Sequence, residues 1–167
     1  MKSTLAFDFS VDKATNTMTV KKEFAAKRQL VWDCHTKAEY LDQWFAPKPY
    51  TTTTKSMDFR EGGYWHYAMV APDGSKHWAR MDYKKINPID GYSLVDSFCD
   101  ENGVINKDLP GGQWKTKFTD LGEHTTVQTD VTFPSLEALE TVIKMGMKEG
   151  LTMTLENLDE LIAKLTK

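Results

Sequence analysis

Residues 147–165 read MKEGLTMTLENLDELIAKL and carry the most regular pattern in the sequence. Apolar side chains recur there at steps of three and four: Met147, Leu151, Leu155, Leu158, Ile162 and Leu165. Charged residues such as Lys148, Glu156 and Lys164 lie at other positions of this segment, away from the apolar stripe. This spacing predicts a long amphipathic helix at the end of the chain, with one stripe facing a core.

A short helix is expected just before the long one. Ser135 can cap its first turn, and Glu137 lies where the helix dipole favours a negative charge. Gly146 and Gly150 then follow at a spacing of one helical turn. Glycines at this spacing either let the long helix approach a sheet closely or leave room beside it for something else.

The middle of the chain predicts an antiparallel meander. Its six candidate strands cover residues 50–54, 64–70, 76–86, 92–99, 114–119 and 125–133. Turn signals such as Pro72-Asp73-Gly74 separate the runs. The pair Gly62-Gly63 favours a tight turn into the second run over a phosphate or partner site.

The beginning of the chain predicts a hairpin followed by two short helices. Apolar and polar residues alternate from Leu5 to Val11 and again from Met18 to Phe24. Residues 27–45 then change to helical spacing, with Thr36 placed to cap the second helix. Pro47 and Pro49 end this region.

Length, charge and cysteine content exclude several classes of protein. The 167 residues, with no linker or repeat, suit one domain over residues 1–167. A net charge of -3 argues against binding nucleic acid, and no segment is long enough for membrane insertion. Two cysteines and a first segment, residues 1–13, without a continuous apolar core favour a cytoplasmic protein.

Several motifs together resemble a known family. They are Val31-Trp32, Leu41-Asp42-Gln43-Trp44-Phe45-Ala46-Pro47, Asp58-Phe59-Arg60-Glu61-Gly62-Gly63, Met69-Val70-Ala71-Pro72-Asp73-Gly74, Met145-Gly146 and Glu149-Gly150. In this order they resemble the bacterial START-like proteins of the SRPBCC superfamily that are grouped as homologues of the activator of the heat-shock chaperone ATPase. The resemblance implies an α+β helix-grip fold. In that fold, a curved antiparallel sheet wraps around a long C-terminal helix, with two short helices after the first strand.

The candidate binding residues are aromatic side chains and methionines expected to border an internal cavity. Along residues 64–70, Trp65, Tyr67 and Met69 share one face, which we assign to the concave side of the sheet. Either Trp78 or Met81 joins them from the next strand, and we assign Met81. The full set is Trp44, Phe45, Phe59, Trp65, Tyr67, Met69, Met81, Phe98, Trp114, Met147 and Met153. Such walls suit flat or flexible apolar ligands, although the same residues could simply fill a core.

The entrance to such a cavity is expected between residues 44–49 and the Gly146–Gly150 turn of the long helix. No histidine has a defensible metal-ligand spacing, so no metal and no cofactor are predicted. Adjacent side chains diverge on a helix, so we expect Cys34 to be buried and His35 to lie at the surface.

Three functions are compatible with these features. The first is binding of a small hydrophobic or aromatic molecule, including lipids. The second is an enzyme of cyclase, dehydratase or hydrolase type, with polar candidates His66, Tyr67, His77, Arg80, Asp82 and Tyr83. It requires at least one inward His or carboxylate with a displaced pKa. The third is a protein-interaction module that contacts a chaperone or forms a homodimer.

Overall fold

The computed structural model describes residues 5–109 and 111–166. Residues 1–4, 110 and 167 lie outside this description, and with them the ends of the expected domain and part of the N-terminal segment considered above. The elements, in chain order, are β1 Phe7–Asp12, β2 Thr17–Phe24, α1 Arg28–Thr36, α2 Ala38–Trp44, β3 Thr51–Met57, β4 Tyr64–Val70, β5 Lys76–Asn87, β6 Gly91–Phe98, β7 Gly112–Asp120, β8 Thr125–Thr132, α3 Leu136–Lys144 and α4 Met147–Leu165.

The strands form one curved antiparallel sheet with the order β1-β2-β8-β7-β6-β5-β4-β3. Each strand from β3 to β7 pairs with the next one along the chain, which confirms the predicted meander. Strand β8 also pairs with β2, so the opening hairpin extends the sheet beyond the meander. The predicted α+β helix-grip fold is therefore confirmed, with α1 and α2 inserted between the hairpin and β3.

Helix α4 packs its predicted stripe against the concave side of the sheet. Leu158 and Ile162 are almost completely buried, and each contributes roughly 2 kcal/mol through loss of apolar surface to water. Leu165 is 40% exposed, so the stripe ends before the last turn. Two polar residues that the apolar pattern did not include, Thr154 and Asn157, are also buried on this face.

The two short helices close one side of the interior. The indole N–H of Trp44 donates to the carbonyl of Cys34 at 2.9 Å, which fixes α2 against α1. The prediction that Thr36 caps α2 is wrong. Its hydroxyl donates to the carbonyl of Trp32 within α1, and Lys37 occupies the cap position without a side-chain bond. Ser135 does cap α3 as predicted, accepting a bond from the Ala138 amide.

The turn before β4 shows why its two glycines are needed. Gly62 has a φ of 87°, a left-handed conformation that L side chains rarely adopt. A Cβ on Gly63 would collide with the carbonyl oxygen of Asp58. Within residues 5–109 and 111–166, no helix combines the length and apolar character needed to cross a bilayer.

Candidate functional site

The interior between the sheet and α4 contains two adjoining chambers. The inner chamber has a volume of about 60 Å³ and the outer chamber about 290 Å³. Both are large enough to hold solvent or part of a ligand, since a single water needs only roughly 10–15 Å³ measured this way. The residues that border both chambers, and therefore form the partition between them, are Phe45, Met81, Trp114, Leu151 and Thr154.

The inner chamber is mainly apolar with a few polar groups. Its apolar lining comes from α2, α4 and the concave side of the sheet, and includes Phe24, Trp44, Trp65, Leu94, Val127 and Leu155. Polar atoms enter from Lys22, His35, Thr116, Thr129 and Thr154. The hydroxyls of Thr116 and Thr129 lie 3.2 Å apart and bond to each other across β7 and β8. This combination of apolar wall and sparse polar groups is typical of small-molecule sites.

His35 contributes an imidazole that is buried among aromatic rings. Its ring contacts Phe24, Trp44 and Phe118 edge-on, with centroid distances of 6.3, 5.1 and 5.1 Å. Nδ1 lies 2.8 Å from the carbonyl oxygen of Val31, and because a carbonyl can only accept, Nδ1 carries the proton. Burial lowers the pKa of His35 to about 4, so the ring is neutral at neutral pH.

The second ring nitrogen of His35, Nε2, belongs to a residue that borders the inner chamber. With Nδ1 protonated, Nε2 holds a lone pair and acts as an acceptor. No described residue donates a hydrogen bond to Nε2. His35 is half-buried and borders the inner chamber. The expectation that His35 lies at the surface is therefore wrong, whereas Cys34 is buried as predicted.

Lys22 is the cation of the inner chamber, and its charge is neutralised. Its Nζ atom lies 3.0 Å from Asp159 Oδ2 on α4 and donates to the carbonyl of Glu23 at 3.1 Å. The same ammonium lies 4.9 Å from the centre of the Phe24 ring. Burial raises the pKa of Asp159, and Lys22 opposes that shift. The pair thus connects β2 to α4 without leaving a free positive charge for a ligand.

The outer chamber is bordered by aromatic, thioether and aliphatic groups. Its wall includes Phe45, Tyr67, Met69, Phe98, Trp114, Met145, Met147 and Leu151. Pro47, Gly146 and Gly150 also border it, and this is where the sequence placed the entrance. A Cβ on Gly150 would lie 3.9 Å from Pro47 Cγ, an ordinary contact, so this glycine is not required by close packing. Gly146 has a φ of 91°, which explains that glycine by backbone conformation.

Asp96 places a carboxylate in the wall of the outer chamber. Oδ1 accepts a hydrogen bond from the Gly112 amide at 2.6 Å. Burial raises the pKa of Asp96, while the Gly112 amide and the nearby Trp114 indole oppose the shift. Trp114 Nε1 nevertheless does not reach hydrogen-bond geometry with any described acceptor. In the part of the chain that the structure describes, no lysine or arginine forms an ion pair with Asp96, whose residue borders the outer chamber.

Comparison with known proteins decides the family. Residues 25–163 match the family described as Activator of Hsp90 ATPase homolog 1-like protein. The chain belongs to this family. The match begins just after β2 and ends within α4, so it includes every element that borders the two chambers except part of the opening hairpin.

Solved structures of other bacterial proteins share the fold of this family member. Protein Ms6760 from Mycobacterium smegmatis is 30% identical with a TM-score of 0.85, covering 94% of this chain and 96% of that one. A protein from Arthrobacter aurescens is 26% identical with a TM-score of 0.89, covering 94% and 91%. CalU16 from Micromonospora echinospora, at 18% identity and a TM-score of 0.61, covers 95% and 84% and shows the fold alone. None of the curated proteins matches the chain.

Most of the residues singled out in the sequence lie around the chambers of this family member. Trp44 and Trp65 border the inner chamber, and Tyr67, Met69, Phe98 and Met147 the outer one, while Phe45, Met81 and Trp114 border both. Trp65 and Tyr67 stack with their ring centroids 3.9 Å apart. Trp78, the alternative to Met81, lies on the opposite face of the sheet, where its ring contacts His66.

Two of the eleven predicted residues do not reach either chamber. Met153 is 39% exposed, because it points away from the helix face that carries Leu151, Thr154 and Leu155. Phe59 lies in a loop and packs edge-on against Trp32 and Tyr83, with centroid distances of 5.8 and 4.8 Å. Its place is in the aromatic core beneath α1.

The polar residues considered for catalysis divide between the two faces of the sheet. Tyr83 borders the inner chamber, and Tyr67 and His77 border the outer one. His66, Arg80 and Asp82 lie on the opposite face. Arg80 pairs there with Asp82 at 2.6 Å, and His66 bonds to the Asp100 carbonyl. These three side chains therefore serve the packing of the outer face.

Two titratable residues that border the chambers, Asp96 and His35, were not among the site residues predicted from sequence. Asp96 is two residues from Phe98 on β6, so strand alternation alone places it on the same inward face. His35 is four residues from Val31 on α1 and shares its buried helix face. Both signals were available, but a charged or titratable residue on an apolar face is easily assigned to the surface.

Proposed function

We propose that this chain binds a small hydrophobic or aromatic molecule in the two chambers. The observation that carries the proposal is that five residues border both chambers and form the partition between them: Phe45, Met81, Trp114, Leu151 and Thr154. These side chains lie between two spaces. The thioether of Met81 adapts its shape at little cost, and the rings of Phe45 and Trp114 can stack on a flat apolar ligand. The volume of the outer chamber, about 290 Å³, lies near the lower end of the range for small-molecule pockets.

Filling the partition tests this proposal. Leu151→Trp adds a large side chain between the two chambers, whereas Met153→Trp adds the same group two residues away on the exposed face of α4. We expect the wild type and Met153→Trp to bind 2-naphthol in equilibrium dialysis, and Leu151→Trp to bind at least about tenfold more weakly. Equal affinity in all three proteins, or no binding by the wild type, would rule the proposal out.

A second candidate is acid–base catalysis on a molecule held in the same space. The observation that favours it is the presence of two inward titratable groups with opposite shifts, a neutral His35 and a carboxyl of raised pKa at Asp96. His35 Nε2 has the lone pair that a general base requires.

Ester hydrolysis gives this second candidate a simple test. We expect wild-type protein to release 2-naphthol from 2-naphthyl acetate faster than buffer, and His35→Phe to lose about 100-fold of that excess rate. Binding of 2-naphthol by a protein that shows no excess rate would retain the carrier function and discard the catalytic one.

A further inference from the structure

The first strand of the sheet, β1, has one open edge. It pairs with β2 on one side, and no described residue bonds to its backbone on the other. The Glu23 amide donates to the Ala6 carbonyl at 2.9 Å, just before β1 begins. Hydrogen-bonded positions alternate along an antiparallel pair, so the even-numbered residues of β1 bond to β2. The backbone N–H and C=O groups of Phe7, Phe9 and Val11 therefore point to the open edge.

The side chains of the same three residues form an apolar strip on the concave side of the sheet. Phe9 lies opposite Val20, which borders the inner chamber. Because side chains two positions apart share a face, Phe7 and Val11 lie on this side as well. Phe7 is 41% exposed and Val11 38%. The open edge thus combines backbone groups that lack a described partner with uncovered apolar surface, which favours the addition of another strand.

The strand at the opposite edge of the sheet, β3, has features that discourage such addition. Its register shifts between Thr54 and Ser56, which marks a bulge, and Lys55 lies within that bulge. The Thr54 hydroxyl also donates to Asp42 of α2 at 2.6 Å, so a helix lies against this strand. Strand β1, in contrast, keeps a regular register and contains no lysine, arginine or proline. It is therefore the edge that is open to pairing.

The sequence of β1 is complementary to a second copy of itself in one antiparallel register. When Phe9 faces Phe9 of the copy, the other two outward residues face each other and Asp8 faces Ser10. The outward residues then form about six backbone hydrogen bonds, two for each opposed pair. Moving one strand by two residues places Asp8 opposite Asp8, or Asp8 opposite Asp12. Like charges opposite each other destabilise a strand pair, so charge selects the register centred on Phe9.

We propose that two copies of this chain associate by antiparallel pairing of β1 about a twofold axis at Phe9, which joins their sheets into one. A second copy is the partner because a twofold contact requires a self-complementary segment, and β1 is such a segment. The two apolar strips then cover each other on the concave side, while Asp8 and Asp12 remain in water on the convex side. This association goes beyond the binding function of the chambers and does not depend on it.

Lys148 is a source of repulsion at this axis. Its Nζ atom lies 5.3 Å from the centre of the Phe9 ring. Two such ammonium groups approach each other when Phe9 faces its copy, and they weaken the association. Lys148→Met removes this repulsion and should associate more tightly than the wild type. No gain in affinity in Lys148→Met would mean that the axis does not lie at Phe9.

Sedimentation equilibrium measures the association directly. We expect a monomer–dimer equilibrium in the wild type and at least about tenfold weaker association in Phe7→Lys, which places a charge in the apolar strip. Val104→Lys is the matched control, because Val104 is a 65% exposed apolar residue outside the strands, and it should associate like the wild type. A wild type that stays monomeric at millimolar concentration would overturn the proposal, as would a dimer that Phe7→Lys leaves unchanged.

Disulfide cross-linking tests the register separately. Asp8→Cys and Ser10→Cys are each made in a Cys99→Ser background, and the two proteins are mixed and oxidised. In the proposed register these positions face each other with Cα atoms about 4.5 Å apart, which a disulfide can span. We expect intact-mass spectrometry to show mainly the mixed disulfide dimer. An excess of either homodimer would indicate a shifted register and overturn the axis at Phe9, and the absence of any cross-link would exclude pairing through β1.

Discussion

Asn157 donates its side-chain amide to the carbonyl of Ala46 at 2.9 Å, joining the middle of α4 to the segment that follows α2. The same amide lies 3.4 Å from the carbonyl of Trp44. Between these two carbonyls lies Phe45, which borders both chambers. A single buried carboxamide therefore positions a wall of the candidate site.

Replacing Asn157 by leucine should destabilise the protein and loosen this wall. The apolar side chain has a similar volume but leaves two buried carbonyls without their donor, a loss of about 1–3 kcal/mol in the free energy of unfolding. Urea unfolding should show a lower midpoint with an unchanged slope. Glu156→Gln, at the exposed neighbouring position, should unfold like the wild type. A wild-type midpoint in Asn157→Leu would show that the bond contributes nothing.

Removing one partner of the Lys22–Asp159 pair should lower the free energy of unfolding more than removing both partners. Lys22→Met leaves the Asp159 carboxylate partly buried and unpaired, with 22% of its side chain exposed. This residual exposure moderates the penalty, which we expect to be about 2 kcal/mol. The double variant Lys22→Met/Asp159→Leu should recover most of that loss in the same urea measurement. If the double variant is less stable than Lys22→Met, the pair is not the source of the effect.

The free energy of unfolding should decrease as the pH is lowered, and His35 should account for part of this decrease. The pKa of His35 is about 4 in the folded protein and 6.5 in the unfolded chain, so between these values only the unfolded chain takes up the proton. The free energy of unfolding then decreases as pH drops from 6.5 to 4, by up to about 3 kcal/mol.

His35→Phe removes this contribution. Unfolding measured across pH 4–7 should be less dependent on pH in His35→Phe than in the wild type. The control His77→Gln, at an exposed imidazole, should retain the wild-type slope. A slope in His35→Phe equal to that of the wild type would contradict a buried neutral ring.

Asp96 should make the free energy of unfolding depend on pH in the opposite direction. Its folded pKa is raised by burial, so as pH rises above the unfolded value the unfolded chain ionises first and the folded state loses stability. Asp96→Asn should therefore be more stable than the wild type at pH 7, and the gain should disappear below pH 4. Thermal unfolding at both pH values measures this difference. A less stable variant at pH 7 would mean that the carboxylate is satisfied by a partner.

The fold was readable from sequence because its elements depend on local patterns. The apolar stripe predicted from Met147 to Leu165 lies within α4, and the predicted run at residues 64–70 coincides with β4. Alternation along β4 correctly separates the inward Trp65 and Tyr67 from the outward His66. Such assignments need only the period of the element and the requirement that one face be buried.

The details of the site were harder to read, because they depend on how separate elements meet. Met153 was included among the wall residues for its type, although its position on α4 places it 39% exposed. His35 was assigned outward because adjacent side chains diverge on a helix and Cys34 was expected inside. Nothing local shows that Phe24, Trp44 and Phe118 surround it. The lack of a basic partner for Asp96 is likewise a property of three-dimensional neighbours, as is the space between the sheet and α4.

A crystal structure of the protein soaked with 6-bromo-2-naphthol tests most directly whether this space accepts an apolar molecule. The anomalous signal of bromine locates the ring without reliance on the rest of the density. We predict a bromine peak between the sheet and α4, within contact distance of Phe45, Met81 or Trp114. Solvent-filled chambers, with bromine absent or bound only on the outer surface, would contradict the account.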